Sequence, residues 1–397
     1  MVSEPQRRGP GAYIEDTWKR KDGTPKARNG VGERWRVWVT DNDGERSSRY
    51  FARKMDAEDY RDDTKAKLSR GAYVTESAGS VTVETMYEEW LTQIAHTADS
   101  TRSTREITWE TWVSPKWRKT LVRNVKRSAV RTWVTEMTEE GAGPATVENA
   151  VGVLRLVLGL AVEDKRLAEN PATGVKLPPR QHRPRAYLTH EQVWELAEAI
   201  DPRYETLVLF LAYAGLRFGE AAALAVQDLD LLRRRIEVRR QVTEVEGKLS
   251  WTPTKGKRRR FVPAPKFLVE PLSVLCQGKP RDALVFTSPK GETLRLNSWR
   301  RRMWNPAITT LRQVDADGVA HRDFPAATPH DLRHTAASLA ISDGANVKAI
   351  QTMLGHKSAA LTLDTYADLF PDDLESVAAA FDRAVEAMLE RRRSTAD

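Results

Sequence analysis

Two polar breaks divide this chain into three segments, and this division constrains its fold more than any other feature of the sequence. The first break is the ESAGS stretch at 76–80, and the second is the basic, proline-rich KLPPRQHRPR stretch at 176–185. Proline and clustered charge favour an extended, solvated connection. A chain of 397 residues is long enough for two or three domains. We therefore predict domains at 1–75, 81–173 and 187–397, with a linker over 174–186.

The first segment has the pattern of a small sheet followed by a helix. Short β-like runs lie at 13–19, 34–40 and 46–52. A helix ending at Gly71 is predicted to follow, with Asp56 as its N-terminal cap. We expect a small α+β domain here.

One face of this sheet is predicted to be basic and aromatic. Successive residues of a strand point to opposite faces. In the second run, one face carries Trp35, Val37 and Val39, and the other carries Arg34, Arg36 and Trp38. The basic, aromatic face that carries Arg34, Arg36 and Trp38 could enter a DNA major groove. A solvated module with scattered surface charge is an equally supported alternative.

The second segment is predicted to be helical. Apolar residues recur at helical spacing from Val83 to Ile94, and further helices are expected at 101–112, 124–137 and 145–161. An ordinary helical bundle explains this pattern. If the bundle binds DNA, its basic residues supply phosphate contacts that position the protein. These residues are Arg102, Arg105, Lys116, Arg118, Lys119, Arg123, Lys126, Arg127 and Arg131.

The last segment is predicted to be mostly helical, so the chain as a whole is expected to be mainly α with small β elements. Three strands are predicted at 235–245, 249–254 and 258–262, with a tight hairpin turn at Lys255-Gly256-Lys257. An amphipathic helix is predicted at 373–389. Its apolar stripe is Leu374, Val377, Phe381, Val385 and Met388. This helix can pack on its own domain or on a neighbouring protomer, and the sequence leaves both open.

Composition favours a cytoplasmic protein with a polyanionic partner. The 63 basic residues exceed the 55 acidic ones and give a net charge of +8, which is a weak indication. A single cysteine, Cys276, excludes an internal disulfide and a cysteine-cluster metal site. No signal peptide is evident, and no apolar run approaches membrane-spanning length. We therefore expect no membrane association.

Four short patches in the last segment combine residues that suit phosphoryl transfer. They are GLRFGE at 215–220, TPHDLRH at 328–334, LGH at 354–356, and Tyr366. Arginines fork phosphate oxygens, histidines donate hydrogen bonds or shuttle protons, and a tyrosine is a nucleophile. No Walker motif, acidic metal cluster or metal-ligand spacing accompanies them, so neither a cofactor nor a metal is expected.

Each patch also has an ordinary structural explanation. Arg217 opens a helical stretch with Glu220 one turn on, where the carboxylate can orient the arginine. A surface Arg–Glu pair explains that patch alone. His356 follows a predicted helix end, where a cation suits the dipole. Tyr366 taken in isolation is best explained as a half-buried core residue, and its phenol, with a pKa of about 10, needs activation to react.

The second patch is the most distinctive. Thr328 suits an N-cap, Pro329 the first helical position and Asp331 a reciprocal capping carboxylate. His330 and Arg333 then share the first turn, where a phosphate gains the dipole and side-chain donors. A capped helix with an incidental His and Arg is the alternative. His334 is predicted to face away from Arg333 and to have no chemical role.

The order and spacing of these patches resemble the tyrosine recombinase (phage integrase) family, from about residue 80 to residue 370. The resemblance implies that Arg217 and Arg333 bind the scissile phosphate, and that Glu220 supports them. It implies that His330 assists proton transfer, His356 adds a donor and Tyr366 attacks. A hairpin lysine acts as general acid in this family, for which Lys255 is the candidate and Lys257 the competitor. The implied DNA contacts are Arg34, Arg36, Arg102, Arg105, Lys257 and Arg258.

The resemblance also implies a reaction and its partners. A recombinase of this kind cleaves and rejoins double-stranded DNA through a 3′-phosphotyrosine, and integrates and excises a phage or integrative element. A homotetramer would hold core sites with the helical core-binding domain and arm sites with the N-terminal domain, and would exchange strands through a Holliday junction. A host DNA-bending protein and an excision factor are expected partners. The alternatives are a type IB topoisomerase or telomere resolvase, and an inactive DNA-binding regulator.

Overall fold

The computed structural model of the chain describes residues 9–42, 44–75, 77–180, 185–254, 259–366 and 374–394. It divides into two compact units, Met1–His182 and Arg183–Asp397. Helices predominate and the sheets are small, so the predicted mainly α class is confirmed. The first unit contains two separate buried clusters, one under an N-terminal sheet and one inside a helical bundle.

A three-stranded antiparallel sheet lies at the start of the first unit. Its strands, in spatial order, are β1 (Gly11–Asp16), β2 (Trp35–Thr40) and β3 (Arg46–Phe51), followed by helix α1 (Lys54–Ser69). Val37 and Val39 are buried in one cluster with Ala57 of α1. The alternation of side chains along β2 places Arg36 and Trp38 on the opposite face, as predicted.

Helix α1 does not use the predicted cap. It begins at Lys54, after the extended residue Arg53, and no side chain caps it. Asp56 lies inside the first turn. A carboxylate there still interacts favourably with the positive end of the helix dipole.

A helical bundle makes up the rest of the first unit. Its helices are α2 (Val83–Gln93), α3 (Asp99–Thr108), α4 (Ser114–Trp117), α5 (Arg127–Glu139) and α6 (Pro144–Glu163). A π-helical turn, Trp109–Val113, joins α3 to α4, and Tyr87 stacks on Trp109 with ring centroids 3.8 Å apart. The helix predicted at 124–137 begins later, at Arg127, because Val122–Asn124 forms a 3-10 turn.

Helix α6 corrects the expectation that no run approaches membrane-spanning length. By length and composition alone, Pro144–Glu163 is apolar and long enough to cross a membrane. In the structure its residues Val147, Leu154 and Leu158 are fully buried in the bundle core. A helix that packs against several neighbours, here α2, α3 and α5, is apolar around most of its circumference.

The second unit is built around the buried helix α8. Its helices are α7 (His190–Ala199), α8 (Glu205–Ala214), α9 (Phe218–Ala222), α10 (Lys266–Cys276), α11 (Leu296–Trp299), α12 (Asn305–Leu311), α13 (Asp331–Ser342), α14 (Val347–Leu354), α15 (Ala359–Tyr366) and α16 (Leu374–Ser394). Short helical turns lie at Pro202–Tyr204, Val226–Asp228 and Arg300–Trp304. Helix α8 packs against α7, α10 and α13. It ends at Gly215, whose φ of 66° is left-handed and favours glycine. This reversal brings the chain to Arg217.

The strands of the second unit differ from the prediction. They are β4 (Leu229–Asp230), β5 (Arg235–Val238), β6 (Arg240–Val245), β7 (Lys248–Pro253) and β8 (Arg260–Pro263). The strand predicted at 235–245 is split, because β5 pairs with β4 and β8 whereas β6 pairs with β7. The hairpin turn lies at Glu246 and Gly247, both of which have positive φ. The turn predicted at 255–257 lies outside the described residues, and the strands on either side of it, β7 and β8, belong to different sheets.

Gly219 is expected to tolerate no side chain. A Cβ at this position would lie 2.4 Å from the carbonyl oxygen of Val242 in β6. We expect Gly219→Ala to lower the free energy of unfolding of the second unit by about 1–3 kcal/mol, because the α9 and β6 backbones must separate. Denaturant unfolding followed by circular dichroism measures the loss.

Gly152→Ala in α6 is the control. No atom lies within 4 Å of its new Cβ, and alanine favours a helix over glycine. This variant is expected to be as stable as the wild type or slightly more so. A Gly219→Ala protein with wild-type stability would show that the close approach to β6 is unimportant.

Candidate active site

A buried carboxylate organises the first patch. Arg217 precedes α9, and Glu220 lies within its first turn. The Glu220 carboxylate accepts hydrogen bonds from the Arg217 backbone N–H at 2.9 Å and from Arg217 Nη1 at 3.2 Å. Glu220 is 1% exposed, whereas the Arg217 side chain is 32% exposed. The arginine is therefore anchored by a buried partner and remains accessible to a ligand.

Arg260 is a further partner of Glu220 that the sequence analysis did not identify. Its Nη1 and Nη2 donate to the two carboxylate oxygens at 3.0 and 2.6 Å, a bidentate pair. Its Nε donates to the carbonyl of Met353 at 2.9 Å. Burial raises the pKa of Glu220, but hydrogen bonds and charge from Arg260 and Arg217 outweigh burial and lower it. The basic run at 257–260 gave no sign of which arginine turns inward.

Arg333 is buried between two helix ends. It is 3% exposed, and its Nη1 donates to the Gly215 carbonyl at 2.6 Å. Its Nη2 donates to the carbonyl of Leu354, at the end of α14. Burial, reinforced by the charge of Arg217, lowers the pKa of Arg333 to about 10. This guanidinium joins the patch that begins at Gly215 to the patch that ends at His356.

Helix α13 begins at Asp331, later than predicted. Thr328 does not accept a capping bond; its N–H and hydroxyl both donate to Asp331 Oδ2 at 2.7 Å. The reciprocal role of the Asp331 carboxylate is confirmed. His330 precedes the helix and is exposed. Partial desolvation and the charges of Arg333 and Arg217 lower its pKa, so this imidazole is neutral and open to a ligand.

His356 is oriented by a hydroxyl. Its Nδ1 lies 2.9 Å from Thr362 Oγ1, which is itself fully buried. Burial, followed by the charges of Arg333, Arg217 and Arg260, lowers the pKa of His356 to about 4. The neutral ring stacks on Tyr366 with centroids 6.4 Å apart.

Tyr366 contacts a residue that the sequence analysis dismissed. Its hydroxyl lies 2.9 Å from Nδ1 of His334, for which the sequence analysis expected no chemical role. His334 follows His330 by four residues, and i, i+4 residues share a helix face. The two imidazoles are 5.1 Å apart. The four-residue spacing of His330 and His334 is evident from the sequence, but the contact between His334 and Tyr366 is not.

A basic cleft of about 500 Å³ lies beside these residues. Its lining combines residues of α14, the β8 strand and the first and third patches. The lining residues are Arg217, Thr254, Arg259, Arg260, Lys348, Gln351, Thr352, Gly355, His356 and Lys357. Such a lining suits an anionic ligand such as a phosphate.

The remaining predicted residues lie elsewhere or outside the described ranges. Lys255, Lys257 and Arg258 fall outside the residues that the structure describes. Arg34 donates hydrogen bonds from Nε and Nη2 to Asp16 Oδ2 at 3.1 and 2.9 Å. Arg36 lies 3.5 Å above the Trp38 ring. In the bundle, Arg102 pairs with Glu106 at 2.7 Å, and Arg105 lies over the Trp90 ring at 5.4 Å.

Removing the Glu220 charge is expected to destabilise the second unit. Glu220→Gln leaves buried Arg260 without its carboxylate and is expected to cost about 3 kcal/mol at neutral pH. Because the folded-state pKa of Glu220 is lowered, the wild-type advantage is complete above the ordinary carboxyl pKa of about 4.3 and is lost as pH falls through the folded-state pKa. Urea unfolding over a pH series measures both effects.

Glu195→Gln is the matched control in the same unit. Glu195 forms a partly exposed pair with Arg322 at 2.7 Å, and exposed pairs contribute little to stability. A small, nearly pH-independent change is expected. Equal losses in the two variants would contradict the importance of the buried pair.

Known proteins share both the sequence pattern and the fold. The model of the phage integrase family matches residues 186–372. The integrase of Mycobacterium phage L5 is 27% identical over 295 residues, which cover 72% of this chain and 75% of that protein. The Tn1549 transposon integrase, bound to a circular intermediate DNA, superposes with a TM-score of 0.65 at 20% identity, covering 77% of this chain and 100% of that chain. A lambda integrase tetramer bound to a Holliday junction gives 0.56 at 15% identity, with coverages of 87% and 96%.

The matched region contains every patch from Arg217 to Tyr366. The structural likenesses show a common fold, and the family match and the relatives add the sequence relationship. The buried Glu220, the two linked arginines and the histidine–tyrosine cluster lie in that same region. Residues 186–372 therefore form a phage integrase family domain, and the chain is a tyrosine-type, site-specific recombinase.

Proposed function

We propose that this recombinase cleaves and rejoins DNA through a 3′-phosphotyrosine on Tyr366, and that it integrates and excises a phage or other integrative element. The observation that carries the proposal is the convergence on Tyr366 of His334, His356 and the charge of Arg333. Integrases are among its relatives, including that of Mycobacterium phage L5. The topoisomerase and inactive-regulator alternatives are not favoured.

Each residue of the cluster has a proposed role. Arg217 and Arg333 neutralise the scissile phosphate, with Glu220 and Arg260 holding Arg217 in place. His330 and His356 hydrogen-bond the phosphate oxygens as negative charge develops on them. Lys255 donates a proton to the departing 5′ oxygen, with Lys257 as the competing candidate. Tyr366 attacks phosphorus and forms the ester.

The proposed reaction consumes no cofactor. A phosphotyrosine ester conserves the energy of the broken phosphodiester, so that the free 5′ hydroxyl of a second strand can attack it. Guanidinium and imidazole groups supply the charge stabilisation that a divalent cation supplies in many phosphoryl transferases. The proposal requires neither a metal nor a membrane, and it places the reaction on DNA in a bacterial cytoplasm.

The N-terminal sheet is the proposed reader of arm sites. Arg36 lies over Trp38 at 3.5 Å and over Tyr50 at 5.0 Å, and Arg46 lies over Trp38 at 5.0 Å. Arg36 Nη2 donates to Ser48 Oγ at 2.9 Å and Arg46 Nη2 donates to Tyr13 Oη at 2.6 Å, so these contacts and the rings hold both guanidiniums in place. Each guanidinium has five N–H donors, which leaves further donors that can meet phosphate or bases. A rigid basic face of this kind fits the DNA groove better than scattered flexible charge.

The helical bundle is the proposed binder of core sites. Arg102 and Arg105 lie on α3, where Arg102 forms an exposed i, i+4 pair with Glu106. Exposed pairs are weak, so a DNA phosphate can replace Glu106 as the partner of Arg102. Phosphate contacts of this kind position the protein without specifying sequence.

Assembly of four protomers is proposed from the C-terminal helix. On α16 the side chains of Phe381, Val385, Met388 and Leu389 are exposed, which favours docking on a neighbouring protomer. A lambda integrase of the same fold forms a tetramer on a Holliday junction. We propose the same assembly here, assisted by a host DNA-bending protein and an excision factor.

Replacing the nucleophile is the direct test. Tyr366→Phe is expected to abolish the covalent protein–DNA complex, because the attacking oxygen is absent. DNA binding should be unchanged, since the lost hydroxyl contacts His334 rather than an arginine or lysine that binds phosphate. The measurement is covalent trapping on nicked duplexes from the ends of the resident element, resolved on a denaturing gel.

Tyr187→Phe is the matched control, since Tyr187 lies near Tyr366 but outside the four patches. It should form the covalent complex at the wild-type rate. A covalent band in Tyr366→Phe would rule out the nucleophile assignment. A wild-type protein that binds these duplexes without forming a band would contradict catalysis.

The arm-site proposal predicts a change in salt dependence. Arg36→Ala is expected to weaken binding to arm-site duplexes and to reduce the slope of log affinity against log salt by about 1, because one phosphate contact is lost. Fluorescence anisotropy at several salt concentrations measures the slope. Arg61→Ala, on α1 and paired with Asp62, removes the same charge and should leave the slope nearly unchanged. Equal slopes for the two variants would contradict the proposed face.

A further inference from the structure

His334 contacts the atom that attacks DNA in the proposed reaction. Its Nδ1 lies 2.9 Å from Tyr366 Oη, and the two ring centroids are 5.8 Å apart. Tyr366 is 2% exposed, so this hydrogen bond is shielded from bulk water. A group within hydrogen-bond reach of a reacting hydroxyl is a candidate for receiving its proton.

The surroundings keep His334 neutral. The charged and titratable groups around it are Asp331 and Arg333 of its own helix, His330 just before that helix, and Arg185, which lies before α7 and donates from Nη1 to the Thr365 carbonyl at 2.6 Å. Burial, followed by His330 and Arg185, lowers the pKa of His334 to about 4; Asp331 opposes this and Arg333 adds to it. A neutral imidazole has one unprotonated nitrogen and can accept a proton there.

Tyr366 keeps its proton until the reaction begins. Burial raises the pKa of its phenol to about 12, although Arg333 and Arg185 act in the opposite direction. The proton must therefore leave as the bond to phosphorus forms, and a positioned acceptor assists such a step. An arriving phosphate also adds negative charge beside His334, which favours its protonated form.

We propose that His334 accepts the Tyr366 proton during strand cleavage and returns it during rejoining, an inference that rests on the proposed function of Tyr366. The Oη–H bond breaks as the Oη–P bond forms, and the proton moves to His334 Nδ1. The P–O5′ bond breaks, and the 5′ oxygen takes a proton from a separate acid, proposed to be Lys255. Rejoining reverses each transfer, so atoms and protons balance.

The test compares cleavage rates on nicked duplexes. Glutamine can keep a hydrogen bond to Tyr366 but does not take its proton, so His334→Gln is expected to slow covalent-complex formation by about 100-fold or more with unchanged DNA affinity. A fluorinated tyrosine at position 366, which has a more acidic phenol, is expected to restore much of that rate. A substrate with sulfur in place of the scissile 5′ oxygen, which departs without protonation, is expected to restore none of it.

Controls separate this proposal from the proposed function. His321→Gln, at an exposed histidine paired with Asp315, should cleave at the wild-type rate, and His334→Asn serves as a second variant if His334→Gln folds poorly. A wild-type rate in the His334 variants would overturn the inference. Rescue by the sulfur substrate and not by the fluorinated tyrosine would assign His334 to the leaving group and also overturn it. Absence of any covalent complex from the wild-type protein would instead contradict the proposed function.

Discussion

A buried carboxylate shared by guanidinium groups is the interaction on which the candidate active site depends. Glu220 is 1% exposed and receives both Arg260 and Arg217. An ionised carboxylate left unpaired at such a position is strongly destabilising, so the carboxylate and its arginines fix one another. Arg260 belongs to β8 and also binds the Met353 carbonyl of α14. One ion pair therefore connects α9, β8 and α14 at the edge of the basic cleft.

Arg333 is likewise a buried guanidinium paired with negative charge, which here lies at the C-terminal ends of two helices. Helix C-termini carry partial negative charge and unpaired carbonyls, and the Arg333 guanidinium binds those of Gly215 and Leu354. Gly215 lies just before Arg217, and Leu354 just before His356. The residue proposed to bind the phosphate therefore also positions the two patches beside it. Loss of Arg333 is therefore expected to disturb the positions of the two patches as well as phosphate binding.

The positive charge of the site suits an anionic ligand such as a DNA phosphate. Arg217 and Arg260 share the carboxylate of Glu220, whereas Arg333 binds only backbone carbonyls. Burial, together with the positive charge of these three arginines, lowers the pKa of His356. Burial raises the pKa of Tyr366 in the same region. A DNA phosphate would balance this excess positive charge and favour protonated histidine. In the proposed reaction, binding of DNA itself thus shifts the proton equilibria toward catalysis.

The sequence by itself determined the mainly helical class, the alternating faces of β2 and the residue set from Arg217 to Tyr366, because helical periodicity, strand alternation and motif order are local patterns. It did not show that β7 pairs with β6 rather than with β8, because the choice of strand partner depends on residues distant in the chain. It could not identify Arg260 as the partner of Glu220, 40 residues away, or His334 as the partner of Tyr366, 32 residues away. Only the tertiary structure decided these contacts, because packing of whole helices and strands, rather than spacing along the chain, determines which side chains meet.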